Sequence, residues 1–98
     1  MAAPQRRIEN RTPSNAKILV TSADRPEVCE TLTVENMSRS GARALTRVLW
    51  KQDDRVLVQS LKGNFRAQGR IVYCKAVDHG GSFAVGLEFF SPAGKWEE

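Results

Sequence analysis

The sequence predicts an all-β fold: a small antiparallel barrel with a basic N-terminal arm and little or no C-terminal helix. Three observations carry that prediction. Apolar and polar residues alternate along several short runs, the clearest being Phe65, Ala67, Gly69, Ile71 and Tyr73 against Arg66, Gln68, Arg70, Val72 and Cys74, which is the period of a half-buried antiparallel strand. Turn signals separate the runs at Asp53-Asp54, Lys62-Gly63-Asn64 and Asp78-His79-Gly80-Gly81. No apolar stripe of helical period outlasts a turn or two. About six short strands so joined suit a barrel, whose closure removes unpaired sheet edges.

Taken in order, residues 1–14 are polar and basic, interrupted by Pro4 and Pro13, with Ile8 almost alone as an apolar anchor. They read as a mobile arm. Thr12 precedes a proline and is pushed out of helical geometry, so a helical turn carrying Arg7 and Arg11 would stop there. The barrel body occupies 15–91, beginning with a strand over 16–21. In a second strand, from about Glu27, Leu32, Val34, Asn36 and Ser38 share one parity and are expected on one face. Gly41 ends or bends that strand, and a short one resumes over 41–45. Residues 55–61 alternate again. The 65–74 run pairs with Phe83, Val85, Leu87 and Phe89, which alternate with Ala84, Gly86, Glu88 and Phe90. Trp50 reads as a core or barrel-end plug. Residues 92–98 are too short and too broken by Pro92 and Gly94 for a substantial helix.

A chain of 98 residues has room for one core but not for separate substrate and cofactor domains. Its net charge of +4 and pI near 9.5 favour anionic partners weakly, because modest positive charge also serves solubility. The N-terminus shows no signal-like apolar run, and no stretch is long enough to cross a bilayer; a cytoplasmic location is expected. Cys29 and Cys74 then read as reduced thiols, and the acceptor patterns at Asn10 and Asn36 as coincidental. Catalysis is not expected: the single histidine, His79, lies in a glycine-rich turn, and the acidic pairs fall in a turn and a tail. Neither metal-ligand spacing nor a phosphate-cradling loop is present.

The chemistry that is present lies in two motifs. Arg6-Arg7-Ile8-Glu9-Asn10-Arg11 supplies planar, permanently charged forks that fit phosphates and guanine edges. Asn36-Met37-Ser38-Arg39-Ser40-Gly41 supplies small polar groups beside a glycine that admits close approach of a ligand. Together they suggest a receptor for an anionic guanine nucleotide. For each motif alone, a solvated basic tail or a bulge glycine would suffice.

Arg7 and Arg11 resemble the RxxxR motif of PilZ domains, and Asn36, Ser38 and Gly41 resemble their (D/N)xSxxG motif, in the same order and at a similar separation. Residues 69–73 and 85–89 also look like the closing strands of that family, so the resemblance spans nearly the whole chain. It implies a six-stranded barrel that binds the bacterial second messenger cyclic di-GMP as ligand, without a cofactor, with the arginine arm folding over the ligand. An extended arm would set Arg7 and Arg11 about 13 Å apart at roughly 3.3 Å per residue, matching the ends of a compact dinucleotide. Asn36 lacks the second acceptor and the charge of the aspartate that other members carry. Arg6 and Arg43 could bracket a guanine or phosphate, and the extra arginine at position 6 favours a stacked, intercalated pair of ligands. Arg39 is expected to face solvent. The resemblance also implies an unidentified downstream protein partner. Two alternatives stand beside it: a basic barrel for single-stranded nucleic acid, disfavoured by seven aromatics mostly at core parity, and a PilZ-like adaptor that binds no nucleotide, disfavoured by intact motifs.

Overall fold

The computed structural model describes residues 12–13, 16–77 and 81–94. Every element among them is a strand: β1 (Thr12–Pro13), β2 (Lys17–Ser22), β3 (Cys29–Ser38), β4 (Gly41–Thr46), β5 (Arg55–Ser60), β6 (Arg66–Ala76) and β7 (Phe83–Ala93). All pairings are antiparallel, in the order β3-β2-β5-β6-β7-β4, and β4 returns to β3 to close a six-stranded barrel. The two-residue β1 adds to the edge of β3 that β2 also uses, with Thr12 opposite Met37 and Pro13 opposite Asn36, beyond the Lys17–Thr33 pair of β2.

Alternation builds the core. In β5, Val56, Val58 and Ser60 are buried while Arg55, Leu57 and Gln59 are exposed. Ile18, Val20, Leu32, Val34, Ile71 and Val85 are fully buried, each worth about 1.5–3 kcal/mol of transfer free energy. Phe65 and Phe89 meet with ring centroids 5.3 Å apart. Trp50 is only 4% exposed and joins the core as expected. Gly63, with φ of 82°, takes the left-handed conformation in the turn between β5 and β6 that its lack of a side chain permits. Of the Asp78-His79-Gly80-Gly81 turn, only Gly81 is among the described residues.

Two register shifts overturn the parity expected from sequence. In β3 the pairing with β4 slips between Val34 and Asn36. Leu32 and Val34 face the core, but the extra residue of this bulge reverses the alternation, so Met37 is the next core residue and Asn36 and Ser38 take the outer face. The four residues therefore do not share a face. A second shift lies between Ile71 and Tyr73 in β6. It carries Tyr73 out of the core parity and turns Cys74 inward against it.

Candidate functional site

The β3–β4 hairpin turns at Arg39 and Ser40, so Ser38 and Gly41 are register partners. Ser38 is 8% exposed. Its Oγ accepts a hydrogen bond from the Ser40 backbone N–H at 3.3 Å and lies 3.4 Å from Ser40 Oγ, a pair in which either hydroxyl can donate. The Ser40 carbonyl accepts from the Phe89 N–H at 2.8 Å, tying the hairpin tip to β7. Ser38 therefore holds the turn while lying on the motif face, and both Arg39 and Ser40 are exposed.

Two rows of residues cross the outer surface from this hairpin. The first runs from Ser38 to Gly41, Glu88 and Arg70 on β3, β4, β7 and β6. Arg70 donates from Nε to Glu88 Oε1 at 2.7 Å and from Nη1 to Asp53 Oδ1 at 2.5 Å. The Glu88 bond, foremost, holds its guanidinium above its ordinary pKa. The second row runs from Asn36 to Arg43, Gly86 and Tyr73. Arg43 donates from Nε to Glu35 Oε1 at 2.8 Å and from Nη1 to the Tyr73 hydroxyl at 3.0 Å. The Glu35 hydrogen bond raises its pKa, burial opposes that, and Tyr73 adds to the rise. Arg43 is thus a fixed cation whose fork is already oriented by two partners.

Gly86 makes the second row possible. A Cβ on Gly86 would collide with Cε2, Cδ2 and Cζ of the Tyr73 ring, so the ring lies directly on β7 backbone. Gly86→Ala is expected to displace the ring and destabilise the barrel by about 1–3 kcal/mol, the usual range for overpacking. The measurement is urea unfolding, and a midpoint equal to that of the parent would show that the ring has room to spare.

The fold thus brings Asn36, Ser38, Gly41 and Arg43 together on one outer surface. Arg6, Arg7 and Arg11 lie outside the described residues, although Thr12, the residue that follows Arg11, pairs with Met37. Sequence reasoning missed Glu35 and Tyr73: Tyr73 reaches this surface through a bulge that no local pattern signals, and the bulge in β3 brings Asn36 onto the face of Glu35, beside Arg43. A separate groove over β2, β5, β6 and the end of β7, lined in part by Leu19, Leu57, Gln59, Arg66 and Ala93, contains none of the motif residues.

Comparison with known proteins agrees with this architecture. The PilZ domain family model matches residues 5–95. Among solved structures, the PilZ domain with c-di-GMP of YcgR from Escherichia coli is similar, with a TM-score of 0.65 at 16% identity over 89% of this chain and 79% of that one. No curated protein matches the sequence.

Proposed function

This chain belongs to the PilZ domain family, and we propose that it is a receptor for cyclic di-GMP whose site is the outer surface of β3 and β4 together with the arginine arm. The observation that carries the reading is the β1–β3 pairing. It anchors the chain immediately after Arg11 beside Asn36 and Met37, so an arm leaving from Thr12 starts within reach of the motif surface. The YcgR PilZ domain, similar in fold, was solved with this ligand.

The roles follow from donor and acceptor chemistry. Arg7 and Arg11 bond phosphate oxygens or the O6 and N7 edge of guanine, and Arg6 supplies a further fork. Asn36 and Ser38 offer polar groups to the base, Gly41, itself buried, adds no side chain that would block the ligand, and Arg43 presents a fixed cation. Tyr73 helps to hold that cation through its hydroxyl, which accepts from Arg43 Nη1. The arm orders on binding, and this disorder-to-order change is the signal passed to a downstream protein in the cytoplasm. Loss of conformational entropy in the arm lowers affinity but makes the response switchable.

Titration of the purified chain with cyclic di-GMP by calorimetry is expected to give saturable binding, with two ligands per chain if the ligand binds as an intercalated pair. NMR order parameters of residues 5–12 are expected to rise on saturation. An unperturbed spectrum at saturating ligand would reject the receptor, and an arm equally rigid before and after addition would reject the switch. Salt-sensitive binding to oligonucleotides with no preference for the cyclic dinucleotide would select a nucleic-acid function instead.

A further inference from the structure

We propose that Glu35, and not Asn36, is the residue that selects guanine in this site; the inference rests on the cyclic di-GMP reading above. In an unbroken strand, Glu35 and Asn36 would point to opposite faces. The bulge in β3 removes that separation. The register moves from Val34 opposite Ala44 directly to Asn36 opposite Arg43, so Glu35 and Asn36 stand together against one residue of β4. Glu35 is partly exposed, with 40% of its side chain accessible, and bonds Arg43 on the outer surface.

Guanine presents two adjacent donors on its pairing edge, N1–H and the N2 amino group, and a carboxylate offers two oxygens to match them. Adenine presents an acceptor at N1, which a carboxylate repels. Asn36 has one carbonyl acceptor and a donating amide, so it answers only half of the guanine edge. The carboxylate of Glu35 supplies what is missing. It is also held in place: Arg43 engages Oε1 and is itself held by Tyr73, whose ring rests on Gly86. A carboxylate has about four lone-pair sites, so the Arg43 bond does not exhaust it. This chain of contacts pre-organises the selecting group before the ligand arrives.

The test is calorimetric titration of the full chain and its variants with cyclic di-GMP, cyclic di-IMP, which lacks the N2 amino group, and cyclic di-AMP. The parent is expected to favour cyclic di-GMP over cyclic di-IMP by roughly tenfold, the lower range for one bidentate base contact. Glu35→Gln preserves shape and an acceptor for Arg43 while removing the charge and one acceptor. It is expected to weaken cyclic di-GMP by roughly tenfold, affect cyclic di-IMP less and so narrow the ratio. Adding Asn36→Asp to Glu35→Gln restores a carboxylate one position away and is expected to recover the preference, a rescue that a merely structural role for Glu35 would not produce. Glu35→Gln binding at parental affinity or tighter would overturn the proposal, because the carboxylate would then be a counter-ion that repels a dianionic ligand. An unchanged ratio would overturn it too. A parent chain that binds none of the three ligands would overturn the receptor reading and this inference with it, whereas normal parental binding with an unaffected Glu35→Gln variant would overturn this inference alone.

Discussion

Replacing Arg7 and Arg11 together by alanine is expected to lower affinity for cyclic di-GMP by at least about a hundredfold. In the proposed site each guanidinium would supply a charge-assisted, bidentate contact of about 1.5–3 kcal/mol, and about 2.8 kcal/mol corresponds to that factor. Calorimetry measures the loss, and far-UV circular dichroism checks that the barrel still forms. Arg7→Lys with Arg11→Lys separates charge from geometry. Lysine keeps the attraction to phosphate but loses the planar fork, so the lysine variant is expected to fall between parent and alanine variant. An alanine variant that binds as the parent does would remove the arm from the site. Equal affinities of lysine variant and parent would reduce its role to electrostatic steering.

Replacing Ile71 by alanine is expected to cost about 2–5 kcal/mol of stability, the range for a large-to-small change at a fully buried position. That is a substantial part of the roughly 5–15 kcal/mol by which domains are usually stable. Ile71 is fully buried. Its backbone N–H donates to the Asp54 carbonyl at 2.9 Å, and its carbonyl accepts from the Asp53 N–H at 2.7 Å. It therefore anchors both the core and the loop before β5, just ahead of the bulge that turns Tyr73 outward. Urea unfolding followed by fluorescence or circular dichroism measures the effect. A loss below about 1 kcal/mol would show that the core collapses around the missing atoms.

Core positions and surface positions differed in how far they could be read from sequence. Burial of Val56, Val58, Leu87 and Phe89 follows from a two-residue period that any short window displays. Trp50 was readable because a large apolar side chain beside Val48 and Leu49 has few favourable places except a core. The surface arrangement needed more. Arg43 was visible as a cation close to Gly41, but nothing in its neighbours disclosed that Glu35 and a tyrosine thirty positions away would hold it.

By itself the sequence determined the class of fold, the approximate strands and turns, and the order in which the two motifs enter the chain. These depend on alternation, turn chemistry and residue type, all of which are local. Only the tertiary structure decided which face each motif side chain occupies. A bulge is defined by the strand opposite, so the slips at Val34/Asn36 and Ile71/Tyr73 exist only once β3 meets β4 and β6 meets β7. Each slip reverses every later side chain in its strand, moving Asn36, Ser38 and Tyr73 onto the outer surface and setting Glu35 beside Arg43.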